Sequence, residues 1–337
     1  MSKWRISCLM GGMALMVAAG CGASPLTSTP TLVPTVTPLS TLTPMPTAAP
    51  MRVVGYITDA VVVSQVPFDK VTHLNWAFLI PQVDGTAQPF ANGWKLTELV
   101  TAAHAHGVKV LISVGGWGWA AQFEQLAASA ATRATFVATV TQFVQTYRLD
   151  GADIDWEYPV AGGAAAKNYT ALMAALSAAL RSQDKLLTAA VAALGTNADG
   201  VDAEVFADVD FLNLMVYDGP PNDHASYRYA EDALQYWSQR GLPASQTVLG
   251  VPFYGQPGSV AYNQLVRANP LAGASDHTDY AGATVSYNGQ ATMRLKTKLA
   301  LERASGLMIW TLEDDTADDT SLLKAIYDTI ISEERKK

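Results

Sequence analysis

The sequence predicts a (β/α)8 TIM barrel over residues 51–337, and three observations carry that prediction. Eight short apolar runs recur, at 53–57, 71–79, 108–114, 151–156, 186–192, 209–216, 247–252 and 306–311. Most are continuous rather than alternating, as expected of parallel strands covered on both faces. Between them lie Ala/Leu-rich stretches of helical character at 95–106, 131–147, 165–181, 228–240, 291–304 and 320–331. Strands alternating with helices in this number close most simply into a barrel. The rival, an open doubly wound sheet, would carry a Gly-rich phosphate turn after an early strand, and none follows one here. The first connection, 58–70, has little helical signal and reads as irregular.

Composition narrows the partners. Hydrophobic residues make up 49% of the 337, enough for a sizeable core, and the formal net charge is −8. A polyanion would require a basic stripe, and no Lys/Arg run interrupts residues 51–337, so nucleic acid is not an expected partner. Both cysteines, Cys8 and Cys21, precede that region, which leaves it without a disulfide or thiolate metal site. The five histidines, His73, His104, His106, His224 and His277, are scattered, and no metal or other cofactor is called for.

The first fifty residues read as address and tether. Lys3 and Arg5 precede an apolar run too short and too Gly-broken for a comfortable membrane span, which is the pattern of a secretory signal over residues 1–21. The run ends in Val17-Ala18-Ala19-Gly20-Cys21, which resembles a bacterial lipoprotein cleavage site, with Ala18 where leucine is usual. That resemblance implies a lipid on Cys21 and a position outside the cell membrane; the alternative is plain secretion after cleavage near Ala23. Residues 22–50 are Thr, Pro, Ser and Ala with hardly a charge, a semi-rigid linker rather than a core.

Chemistry concentrates on the fourth apolar run. It reads Asp150-Gly151-Ala152-Asp153-Ile154-Asp155-Trp156-Glu157-Tyr158-Pro159. Asp153, Asp155 and Glu157 are spaced by two, so a strand projects all three from one face, while Ala152, Ile154 and Trp156 project toward helices. Active sites of barrels lie at the C-terminal strand ends, so the row would run up the barrel interior to its mouth. Two carboxylates about 4 Å apart repel by roughly 4 kcal/mol at an effective dielectric near ~20. At least one proton is therefore shared or retained, which suits protonation of a leaving oxygen. A Mg²⁺ or Ca²⁺ site is the alternative use of such a row, but nothing in the sequence suggests a bound phosphate.

These residues resemble the signature of glycoside hydrolase family 18, the chitinase family. Ser113-Val114-Gly115-Gly116-Trp117 resembles its third-strand motif, and Met215-Val216-Tyr217-Asp218 its sixth. Gly250-Val251-Pro252-Phe253-Tyr254-Gly255 is similar to its seventh strand, and Trp310 stands where its eighth-strand tryptophan does. His73-Leu74-Asn75-Trp76-Ala77-Phe78 resembles the second strand, with Trp76 where tyrosine is more usual. The matches run in order from Gly55 to about Asp315.

The resemblance implies substrate-assisted, retaining hydrolysis of β-1,4-linked N-acetylglucosamine polymers such as chitin, with no cofactor. Glu157 would be the catalytic acid and then base. Asp155 would orient the substrate acetamido group, Asp153 would share a proton with Asp155, and Tyr217 would hydrogen-bond the acetamido oxygen. Asp218 would support the same subsite and Trp310 would floor it. Met215, Tyr56, Phe78, Trp117 and Tyr254 complete the candidate substrate-binding set, with Trp94, Trp119 and Tyr227 as further aromatics in loops after strands. Gly115 and Gly116 read as packing residues. Glu313, Asp314 and Asp315, with Asp318 and Asp319, read as caps of the last helix.

One departure from the family bears on cleavage mode. Residues 255–305 are too few for the small α+β domain that many members insert between strands seven and eight. A shallower cleft, open to internal cleavage, is expected. Alternative readings are an endo-N-acetylglucosaminidase acting on glycoprotein glycans or peptidoglycan, and an inactive sugar-binding lectin, although the latter usually lacks the acid that Glu157 supplies.

Overall fold

Eight parallel strands form a closed barrel in the computed structural model, which describes residues 51–219 and 224–336. They are β1 (Arg52–Ile57), β2 (His73–Leu79), β3 (Lys109–Gly115), β4 (Gly151–Asp155), β5 (Leu186–Ala192), β6 (Phe211–Met215), β7 (Thr247–Pro252) and β8 (Gly306–Trp310). Each pairs with its sequence neighbours, and β8 returns to β1 through Val53↔Leu307 and Gly55↔Ile309. The expected signal, its Cys21 and the linker lie outside the described residues.

The helices are α1 (Gly93–Ala105), α2 (Ala120–Ala128), α3 (Ala130–Thr146), α4 (Ala164–Arg181), α5 (Tyr227–Gln239), α6 (Tyr262–Ala268), α7 (Gln290–Arg303) and α8 (Leu322–Glu334). Hydroxyls define several starts: Ser129, Ser226 and Ser321 accept from the backbone N–H of Thr132, Tyr229 and Lys324. Two helices were not expected, α2 and α6. Both are too short to persist alone in water, so tertiary contacts hold them. For α2 the contact is Phe123 stacked on Trp156, with ring centroids 5.2 Å apart.

Side-chain parity separates two cores. Outward residues such as Val53, Leu74, Ile112, Ile154, Leu214 and Ile309 pack under the helices. Inward residues Val54, Phe211, Val248 and Met308 belong to a smaller apolar cluster within the barrel that also holds Tyr56 and Met215. Between β7 and β8, residues 254–286 hold α6, a 3-10 turn at Pro270–Ala274 and two two-stranded sheets, 254–255 with 260–261 and 277–280 with 283–286. That is the reduced insert the sequence implied.

Candidate active site

The carboxylate row starts inside the barrel. Register pairs Asp153 with Ser113 on β3 and with Thr188 on β5. Fully buried Asp153 accepts four hydrogen bonds: from Tyr56 Oη at 2.6 Å, Ser113 Oγ at 2.8 Å, Thr188 Oγ1 at 2.6 Å and Asn213 Nδ2 at 3.2 Å. Burial raises its pKa against these four donors. Asp155, one step up and only 3% exposed, has an Oδ1 without a hydrogen-bond partner among the described residues. Burial, then the charges of Glu157 and Asp153, push its pKa well above the usual carboxylate range. Donors support charge on Asp153 and none supports it on that oxygen of Asp155, so the proton kept by this pair resides with Asp155.

Glu157 stands beyond the end of β4, half-buried at the barrel mouth. Burial raises its pKa, the Asp218 charge adds to the rise, and a hydrogen bond from Tyr158 opposes it. A carboxyl whose pKa is raised by burial at the barrel mouth is better suited to deliver a proton than an ordinary surface carboxylate. Between the two acids, Trp156 turns outward onto Phe123 of α2 and edge-on to Tyr169 of α4, which fixes the strand end.

Backbone proximity explains the glycines of β3. Gly115 has φ 111°, and a Cβ there would stand 2.3 Å from the Asp155 carbonyl oxygen. Gly116 has φ 91° and abuts the Phe78 ring, so both positions exclude side chains.

Above the row, Trp310 stacks on Phe78 at 5.6 Å and tilts over Tyr56 at 5.5 Å. Tyr217 packs edge-on to Tyr254, with its hydroxyl 3.8 Å from Met308 Sδ. Asp218 accepts from Tyr254 Oη at 2.6 Å and from Gln256 Nε2 at 2.9 Å. Burial raises the Asp218 pKa, but its contacts with His224, Tyr254 and Gln256 outweigh that and hold the carboxyl at about 2.

Comparison with known proteins gives the barrel that carries this site a family. The family model for glycosyl hydrolases family 18 matches residues 52–315. The chain belongs to that family. Chitinase 1 of Aphanocladium album is 30% identical over 240 residues, 57% of this chain and 56% of that protein. Chitinase A1 of Niallia circulans is 32% identical over 231 residues, 54% of this chain and 33% of its own length. The chain thus spans about half or less of these curated relatives. A solved chitinase structure from Bacteroides thetaiotaomicron superposes with a TM-score of 0.75 at 26% identity, covering 85% of this chain and 98% of the other.

Against the family 18 expectation, the structure brings Asp153, Asp155, Glu157, Tyr217, Asp218, Trp310, Phe78 and Met215 together at one end of the barrel. Two substrate-binding expectations need correction. Tyr56 is 1% exposed with its hydroxyl on Asp153, and Tyr254 is 5% exposed with its hydroxyl on Asp218, so each acts on a carboxylate rather than offering a sugar a surface. Trp117 is 78% exposed in the turn after β3, and Trp94 is exposed at the start of α1. Trp119 and Tyr227 are half-buried at helix starts.

Thr188, Asn213, His224 and Gln256 were missed. Thr188 and Asn213 are lone polar residues inside apolar runs, a signal that was available; His224 and Gln256 lie in loops that carried none. Ser113 lies inside the third-strand motif, and its role is the hydrogen bond to Asp153. Of the acids after β8, Asp315 accepts from the N–H of Leu322 and Leu323 and caps α8. Asp318 accepts from Thr320, while Glu313 instead accepts from the backbone N–H and hydroxyl of Thr58 at the end of β1. Among the described residues no group of three His, Cys, Asp or Glu is arranged to hold a metal ion.

Proposed function

We propose that this chain hydrolyses β-1,4-linked N-acetylglucosamine polymers such as chitin, acting within the chain, with Glu157 as acid and base. The observation that carries the reading is the half-buried Glu157 at the barrel mouth, its pKa raised, above a carboxyl pair that keeps a proton. Glu157 protonates the leaving glycosidic oxygen as the substrate's acetamido carbonyl oxygen attacks the anomeric carbon. The C–O bond breaks and an oxazolinium forms. Glu157, now a carboxylate, takes a proton from water, which reopens the ring with net retention. Asp155 faces the developing positive charge and orients the acetamido N–H. Tyr217 donates to the acetamido oxygen, Asp218 supports the same subsite, and Trp310 floors the distorted sugar. The small insert after β7 leaves the cleft open to internal cleavage.

Product release from N-acetylchitooligosaccharides of several lengths tests this, beside Glu157→Gln. Loss of the acid lowers kcat at least ~10²-fold. Binding without cleavage by both proteins would favour the lectin reading; no binding by either would send the search to peptidoglycan and N-glycans.

The same reading takes residues 1–21 as a lipoprotein-type signal cleaved before Cys21, which carries the lipid, and 22–50 as a tether that holds the barrel at the outer face of the cell membrane. Incorporation of labelled fatty acid into the chain, abolished in Cys21→Ala, tests it; unlabelled protein in the medium would favour plain secretion.

A further inference from the structure

One buried histidine near the site has no part in the chemistry above. His224 is 6% exposed and lies just after the loop that leaves β6. Its Nδ1 is 3.2 Å from the backbone N of Asp218, which can only donate, and 3.4 Å from the Asp218 carboxylate Oδ1; the shorter contact makes Nδ1 the acceptor. Its Nε2 is 3.1 Å from the Tyr254 carbonyl oxygen, which can only accept, so Nε2 carries the proton. The two contacts together select one neutral tautomer. The ring also stands edge-on to Tyr254 at 4.9 Å, and the His224 carbonyl accepts from Gly219 N at 3.0 Å.

What this holds is a backbone corner. Asp218 has φ 50°, a left-handed conformation that a residue with a side chain adopts reluctantly. The N–H of Asp218 belongs to the same peptide as the Tyr217 carbonyl, so fixing it fixes how Tyr217 leaves β6. Through the Tyr254 carbonyl, His224 also steadies the residue whose hydroxyl holds the Asp218 carboxylate at 2.6 Å. Glu157 is faced by Asp155 on β4, by Tyr158 after it, by Tyr217 and Asp218 after β6, and by Tyr254 after β7. His224 reaches three of these five, Tyr217 and Asp218 through the corner and Tyr254 through its carbonyl.

We infer that His224, as the Nε2–H tautomer, is a positioning residue that fixes the Tyr217–Asp218 corner and Tyr254 against the catalytic acid. The inference rests on the proposed hydrolysis for its kinetic readout, and on nothing but geometry for its spectroscopic one.

The test is a trio of variants in the full chain. His224→Ala lowers kcat about tenfold, with KM moving less, because the acetamido contact is made best in the transition state. It also moves the alkaline limb of kcat/KM toward acid, since a looser Asp218 repels Glu157 less. His224→Asn, whose amide oxygen falls near the Nδ1 position and can still accept from the Asp218 N–H, recovers part of kcat and returns the limb; His224→Gln, whose amide sits one methylene farther out, near the Nε2 position, does not. Wild-type kcat and pH profile in a folded His224→Ala, or Asn and Gln variants no better than Ala, would overturn it. Should the Ala variant fail to fold, imidazole ¹⁵N shifts of wild type, assigned against His224→Asn, decide: a proton on Nε2 with Nδ1 bare supports the placement, and any proton on Nδ1 overturns it. If wild type cleaves no oligosaccharide, the functional reading fails, while the ¹⁵N result still decides the geometry.

Discussion

The Tyr56 hydroxyl donates a 2.6 Å hydrogen bond to Oδ2 of Asp153, joining β1 to β4 across the barrel interior. It is one of four donors on a carboxylate with no access to water. A hydrogen bond to a buried charged group contributes about 1.5–3 kcal/mol. Tyr56→Phe is expected to lower stability by about 2 kcal/mol, read from urea unfolding, and to lower kcat without changing KM. An unaltered unfolding midpoint would mean that Asp153 does not rely on this donor.

Asp155 sets stability against activity. Its pKa is raised in the folded protein, so the native state binds a proton more tightly than the unfolded chain. The stability from that proton is complete below the unfolded pKa and lost as pH rises through the folded value. Asp155→Asn removes the cost of ionising a buried carboxyl. Its melting temperature should exceed wild type by a margin that widens from about pH 4 to about pH 8, while activity collapses. A margin constant with pH would show that Asp155 ionises as easily in the native state as in the unfolded chain.

The alkaline limb of the proposed activity is expected to follow Glu157. Its pKa lies above the ordinary 4.5, with burial the main cause and the Asp218 charge a further one. Asp218→Asn removes that repulsion and should move the limb of kcat/KM toward acid. Kinetics across pH on a soluble oligosaccharide would check this, and a limb displaced toward base would reverse the assignment.

Trp117 offers its indole to solvent on the barrel rim, 78% exposed. An aromatic contact contributes about 1 kcal/mol, so Trp117→Ala should raise KM for long oligomers about fivefold and leave short ones nearly unaffected. The melting temperature should not change, because little of the ring is buried. An equal effect on all chain lengths would place the contact at the cleavage point.

Much of this molecule was legible in the sequence because its signals are local and periodic. Apolar runs, most of them continuous, marked all eight strands to within a few residues, since parallel strands covered on both faces are mostly apolar. The spacing of Asp153, Asp155 and Glu157 was enough to put them on one face, because strand geometry alone sets that parity. Helix α2 escaped notice because what makes it a helix is Phe123 meeting Trp156, a contact between residues 33 positions apart. His224 and Gln256 escaped for the same reason: loops carry no periodicity, and these side chains matter only through what they reach.

The sequence by itself determined the order of elements, the carboxylate row and the small size of the insert after β7. These follow from the chain's own repeat and length. Only the tertiary structure decided which carboxyl keeps a proton, because that depends on donors from β1, β3, β5 and β6 converging on Asp153 while Oδ1 of Asp155 gains none. It alone turned Tyr56 and Tyr254 from substrate contacts into carboxylate partners, since burial and a hydroxyl's single proton are settled by neighbours distant in sequence. Local spacing says which way a side chain points; closure of the barrel says what it meets.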